Sequence, residues 1–259
     1  GPKNTAPEEP ALSEESADGK YPYGRLSTYG FFSGELNELT PMEEVIPYKP
    51  ASSLFTDYAL KSRYIFFPKG TKATLTSNEL VFPKGTILIK NFYYPIDFRE
   101  PEGARRIIET RLLINEENGW VAYPYIWNDS QTEAILKVVG GEIQVSFTGY
   151  EGKDQVINYL VPNKNQCKTC HNKNESLAPI GVKVQHLNNE LEFNFGKANQ
   201  LKHWVELGKL EGFEGEKAHP SMINYEDKDL PLDDRAMAYL DINCSHCHSA
   251  EGPASTSGL

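Results

Sequence analysis

The chain has 259 residues, is 39% hydrophobic and carries a formal net charge of -10. That length holds one large domain or two ordinary ones around a real core, and that charge excludes nucleic acid as a partner, since phosphates would be repelled rather than neutralised. No run of eighteen or more apolar residues is present, which excludes a transmembrane helix within this sequence.

Residues 1–24 read as a disordered acidic tail or linker. Glu8, Glu9, Glu14, Glu15 and Asp18 stand among Pro, Ser and Ala with almost nothing to bury, so ordering entropy is not repaid. In exported bacterial proteins such a segment links a lipid anchor to the body; a plain disordered terminus is the alternative. Gly1-Pro2 reads as a scar of tag cleavage or as a processed terminus.

Residues 25–160 are expected to form a β-rich domain. Short runs of β-branched and aromatic residues recur at 64–67, 79–82, 86–89, 107–114, 120–127, 134–139, 143–147 and 156–160. Pro68-Lys69-Gly70, Pro83-Lys84-Gly85, Gly140-Gly141 and residues 149–152 punctuate them as turns. Count and spacing favour an antiparallel sandwich or open barrel, without a clean internal repeat.

Residues 161–259 have few strand signals, and the expectation there is a mainly α, cytochrome c-like dihaem region that continues past Leu259. The whole is then an α+β fold with segregated parts. Leu201, Trp204, Val205 and Leu207 lie near helical spacing within 199–210, ended by Gly208 or Gly212. The clearer helix is 232–243: Asp233 or Asp234 can cap it, Ala236, Met237, Tyr239 and Leu240 give an apolar side, and it delivers Cys244.

All four cysteines fall in two copies of one pattern, Cys167-Lys168-Thr169-Cys170-His171 and Cys244-Ser245-His246-Cys247-His248. Two thiols three positions apart can each form a thioether with one of the two vinyl groups on a porphyrin edge. The histidine that follows is carried under the ring, where Nε2 becomes the proximal iron ligand. The pattern points to two covalently attached haem c groups. Three other readings fit less well: the gap from Cys170 to Cys244 is long for a zinc ribbon, the approach to Cys167 reads as loop rather than the strand of a thioredoxin-like pair, and structural disulfides require no histidine.

Ring orientation at His171 and His248 needs an acceptor for Nδ1–H, and the carbonyls of Pro179 and Pro253 are the candidates. For the sixth position the candidates are Met222, Met237, Met42, His186, His203, His219 and His246. Met222, in the loop-like stretch His219-Pro220-Ser221-Met222, is favoured for the first iron. A core role suits Met237 better, a surface or packing role competes at His203, and His246 points away from its own iron. Only eleven residues follow His248, leaving the second haem with a ligand from elsewhere or an open position.

Several stretches together resemble a known family: Leu26-Ser27-Thr28-Tyr29-Gly30-Phe31-Phe32, Leu54-Phe55-Thr56-Asp57-Tyr58-Ala59 with Lys61 and Arg63, Phe82-Pro83-Lys84-Gly85-Thr86, Phe92-Tyr93-Tyr94-Pro95, Ile108-Glu109-Thr110-Arg111, Trp127-Asn128-Asp129, Asn165-Gln166-Cys167 and Tyr239-Leu240-Asp241-Ile242-Asn243-Cys244. The chain is similar, from about residue 26 onward, to bacterial dihaem c-type cytochromes with a β-rich N-terminal domain, a family often described as conserved hypothetical proteins. The resemblance implies architecture and compartment more than substrate.

Because c-type haem is attached outside the cytoplasmic membrane in bacteria, the expected location is periplasmic or cell-surface. The expected function is electron transfer between redox partners, a dehydrogenase or another cytochrome. Two alternatives stand beside it: a dihaem peroxidase-like enzyme with one open haem, and a surface binding module with accessory haems. In the β-rich part, Asp57, Lys61 and Arg63, or Glu109 with Arg111, are expected to form an ion-pair network tying the lobes together. Trp127-Asn128-Asp129 either binds a ligand or caps a turn. Nothing resembles a Ser-His-Asp triad, a P-loop or a dinucleotide fingerprint.

Overall fold

The computed structural model describes residues 21–257; most of the expected acidic tail lies outside them. Residues 21–24 belong to the body, where the Tyr125 hydroxyl donates to the Tyr23 carbonyl at 2.6 Å and the Leu136 N–H to that of Gly24 at 3.0 Å.

β1 (Phe32–Ser33) and β2 (Thr40–Pro41) pair with each other. They are followed by β3 (Val45–Pro47), β4 (Leu60–Phe66), β5 (Ala73–Thr76), β6 (Glu79–Val81), β7 (Ile87–Pro95), β8 (Arg105–Glu116), β9 (Gly119–Trp127) and β10 (Ala134–Leu136). β11 (Gly141–Thr148) and β12 (Asp154–Val161) form an antiparallel hairpin. The main sheet has six antiparallel strands in the order β10-β9-β8-β7-β4-β3. Its central strands β7 and β8 are buried along most of their length, because both faces of the sheet are covered. The turn before β7 is close-fitting: Gly85 has φ of 82°, and a Cβ there would meet Pro68 Cγ at 2.8 Å.

One face packs Ile87, Ile89, Leu112, Ile114 and Tyr125 under Leu26, Phe31 and Leu39 from the N-terminal segment. The opposite face has two covers. At one end the β11–β12 hairpin packs Val145, Tyr159 and Val161 on Phe92 and Tyr94. At the other, Ile65, Leu88, Leu113 and Ala122 meet Cys167, Val184, Leu201 and Trp204 from the C-terminal part.

That C-terminal part corrects the fold expected from sequence. The chain is mostly β-sheet, and after residue 161 it holds four short helices among small hairpins: α1 (Lys164–Cys170), β13 (Asn172–Lys173), β14 (Ser176–Leu177), α2 (Val184–Leu187), β15 (Glu190–Phe193), β16 (Gly196–Asn199), α3 (Gln200–Glu206), β17 (Leu210–Glu211) and α4 (Leu232–Asn243). There is no mainly α cytochrome c-like region among the described residues. The first three helices, of four to seven residues, present too little apolar stripe to pack on one another, and their buried residues join the sheet's core instead. β17 joins β5 in parallel, in a three-strand sheet of order β17-β5-β6. The expected sandwich or barrel is likewise replaced by an open sheet whose edges are β10 and β3.

The loop between β3 and β4 fastens the two parts. Lys49 exchanges backbone bonds of 2.8 and 2.9 Å with the Gln200 amide, and the Ala51 N–H donates to the His186 carbonyl. The Ser52 hydroxyl donates to the Ile223 carbonyl at 2.7 Å, and the Phe55 N–H to Asn243 Oδ1 at 2.8 Å.

Trp204 is fully buried with its ring 5.8 Å from that of Phe67. Trp204→Ala is therefore expected to cost about 3–5 kcal/mol in denaturant-induced unfolding; an unchanged midpoint would show that the C-terminal cover does not share the sheet's core.

Candidate functional site

Both Cys-x-x-Cys-His segments are wound as helical turns. The first lies in α1, whose start is a capping box: Asn163 Oδ1 accepts the Gln166 N–H at 2.9 Å, and Gln166 Oε1 accepts the Asn163 N–H at 2.8 Å. The loop approach expected for this motif is thus corrected. The Asn-x-x-Gln spacing was the signal in the sequence. Cys167 is buried, Cys170 is exposed one turn on, and His171 closes the helix with its N–H on the Cys167 carbonyl at 3.0 Å.

The second motif is delivered by α4 over the residues expected. Asp233 and Asp234 make no cap bond, but as acids in the first turn they face the positive end of the helix. The buried side is Ala238 and Ile242, while Met237 and Tyr239 are exposed; the apolar side expected at Ala236, Met237, Tyr239 and Leu240 is corrected accordingly. The chain stays wound past the helix, with the His248 N–H on the Cys244 carbonyl at 3.0 Å.

Each histidine after the second thiol is oriented by a backbone carbonyl. His171 Nδ1 donates to Ala178 at 2.9 Å, and His248 Nδ1 to Ser257 at 3.1 Å. A carbonyl can only accept, so in this pairing Nε2 keeps its lone pair, the state a metal requires. The acceptors are Ala178, the residue before Pro179, and Ser257, in place of the carbonyls of Pro179 and Pro253. Burial, then the charge of Lys90, pushes His171 down to about 4, keeping the imidazole neutral at pH 7.

The two motifs adjoin. Burial raises the Cys247 thiol, and Cys170 from the other motif raises it further. The Asn174 N–H donates to the Glu251 carbonyl at 3.0 Å, and Lys173 pairs with the Glu251 carboxylate at 2.8 Å. Lys183 reaches the Ser245 hydroxyl at 2.8 Å, and buried His186 donates through Nε2 to Asp241 at 2.6 Å. His246 points inward with Nδ1 buried and unpartnered.

The remaining candidates separate by their partners. His219 has both ring nitrogens engaged, Nδ1 with Asn78 and Nε2 with the Glu214 N–H. His186 is tied to Asp241, and His203 sits against the rings of Phe193 and Phe195. Met42 and Met237 are exposed. Met222 is half-buried, its N–H on the Gln185 carbonyl at 2.7 Å. At the end of β9, Asn128 caps a turn by accepting from Thr132, and Asp129 pairs at the surface with Arg106.

All four cysteines are unpaired, the state that thioether attachment of a porphyrin would require, and a small cavity beside Cys167 and His171 is lined by apolar Leu88, Leu113 and Ile180 together with Lys90. Among the described residues no three His, Cys, Asp or Glu side chains gather as an ion-binding cluster, so the four thiols are not arranged around a single tetrahedral centre.

No family model, no curated protein and no solved structure matches this chain. No helix among the described residues is long and apolar enough to cross a membrane.

Asp241 supplies a test of the tie between the motifs. Burial would raise its carboxyl, but the bond from His186 and the charge of Lys183 more than offset this and hold it below the usual value. A depressed native pKa contributes stability above the unfolded value, and loses it as pH falls through the native one. Asp241→Ala, which leaves the His186 nitrogen without an acceptor, should lower neutral-pH stability by about 1–3 kcal/mol and flatten the acid limb below roughly pH 4. Urea unfolding at several pH values checks this, and identical profiles would place the pair outside the fold's stabilising contacts.

Proposed function

We propose that this chain is a dihaem c-type cytochrome, of the bacterial family with a β-rich N-terminal domain, working outside the cytoplasmic membrane as an electron carrier. The observation that carries the reading is the pair of adjoining Cys-x-x-Cys-His turns, each with its imidazole fixed by a backbone carbonyl and its Nε2 free. When bound, haem supplies an iron centre that gains and gives up one electron.

The chain's own residues do the rest. Cys167 and Cys170 would hold one porphyrin through thioethers, Cys244 and Cys247 the other, and His171 and His248 would be the proximal ligands. Met222 is the sixth ligand proposed for the first iron; its loop is held to α2, and α2 shares a core with Cys167. The short ties through Lys173, Lys183 and Glu251 hold the two groups as a pair. Partners are redox proteins such as a dehydrogenase or another cytochrome, with a cationic docking face suiting the charge of -10. A periplasmic or cell-surface location is part of the same proposal.

The test is production with an export signal in a bacterium able to mature c-type cytochromes, followed by intact mass and reduced visible spectra with and without carbon monoxide. The expected result is a mass gain of two haem groups, halved in a Cys244→Ala/Cys247→Ala variant, with no carbon monoxide shift at the Met222-ligated haem. A colourless chain of unmodified mass would refute the reading, and carbon monoxide binding at both haems would refute the carrier role.

A further inference from the structure

The sheet face that receives the first motif carries a row of cations that the electron-carrier reading does not use. Arg63 on β4, Lys90 on β7 and Arg111 on β8 are directly opposite one another in register, and Lys61 lies one pleat along from Arg63 on the same face. Like charges directly opposite destabilise a sheet, and these lie half-buried in a chain whose overall charge is strongly acidic. Among the described residues, Arg111 alone of the four has a carboxylate within 4.0 Å: it grips fully buried Glu109 at 2.5 Å, and Tyr159 also donates to that carboxylate. Lys61 donates to the Leu54 carbonyl at 2.7 Å. Arg63 and Lys90 have no carboxylate within 4.0 Å among the described residues. Burial, then Arg63 and Arg111, push the Lys90 ammonium well below its usual value, and an anion placed beside it would favour the charged form again.

The position of the row identifies the anion. Lys90 and Arg111 line the same cavity as Cys167 and His171. The helix holding those cysteines packs against β9. Strands lie about 4.8 Å apart, so Lys90 and Arg63, two and three strands from β9, stand roughly 10 and 14 Å across the sheet from it. A porphyrin joined to protein through its vinyl groups carries its two propionate carboxylates on the opposite side of the ring. We propose that Lys90 and Arg63 receive the propionates of the porphyrin attached at Cys167 and Cys170, and that Arg111 is held back from them by Glu109. The sheet is then the floor of the first haem site. This rests on the dihaem reading above.

The experiment uses the mature holoprotein and the variants Lys90→Met and Arg63→Gln, with Lys90→Arg and Arg63→Lys as charge-keeping controls. A cation beside the porphyrin disfavours the more positive oxidised state and favours the ionised propionate. Each charge-removing variant should therefore lower the midpoint potential of one haem, leave the other unmoved, and shift the pH dependence of the lowered potential upward, while the controls behave as wild type. Should a charge-removing variant fail to acquire one haem by mass, acquisition by its charge-keeping control supports the proposal, and failure of both overturns it. Two attached haems with potentials and pH dependence unchanged would overturn the proposal and leave the dihaem reading standing. A wild-type chain without haem would overturn both.

Discussion

One face of β4, β7, β8 and β9 presents two incompatible demands to whatever covers it. Ile65, Leu88, Leu113 and Ala122 must be kept from water, while burying Lys61, Arg63, Lys90 and Arg111 on the same face costs free energy unless each is paired or, for the lysines, loses its proton. The cover resolves this by splitting. The β11–β12 hairpin takes one end, α1 to α3 take the other, and the cations lie between, with Glu109 buried among them and the cavity beside Cys167 left open to Lys90.

The loop from Lys49 to Phe55 makes that cover possible. α1 and α3 each have seven residues, too few to hold helical shape alone, so their geometry comes from what they touch. Gln200 at the start of α3, His186 in α2, Ile223 before α4 and Asn243 at its end all bond to this loop. A change in its path would move α2, α3 and the end of α4, which delivers the second motif.

Most strands of the sheet were legible because they carry runs of β-branched and apolar residues, as in Ile87-Leu88-Ile89 of β7, and because Gly70 and Gly85 mark turns with positive φ. α4 was legible to its last residue. What misled was the second half. Residues 190–199 form a hairpin too short and too mixed in composition to show a period of two, and Leu210 and Glu211 become a strand only because β5 offers an edge. Sparse strand signals were read as helix, whereas the segment is mostly loops and turns shaped by the sheet. At the site, the cysteines and histidines were plain from spacing, and the capping box before Cys167 was readable but passed over. The acceptors for His171 and His248 were misplaced, since a proline nearby says where the chain bends and not which carbonyl faces the imidazole. The cation row could not be read at all: Arg63, Lys90 and Arg111 are far apart in sequence and meet only through register.

The fold sets the two Cys-x-x-Cys-His turns side by side, and on the dihaem proposal the groups they would hold form a coupled pair. The most direct measurement is electron paramagnetic resonance of the oxidised holoprotein, compared with variants carrying only one motif. The expected signal of the full protein differs from the sum of the two single-motif spectra through magnetic coupling between neighbouring irons. A spectrum equal to that sum would contradict it.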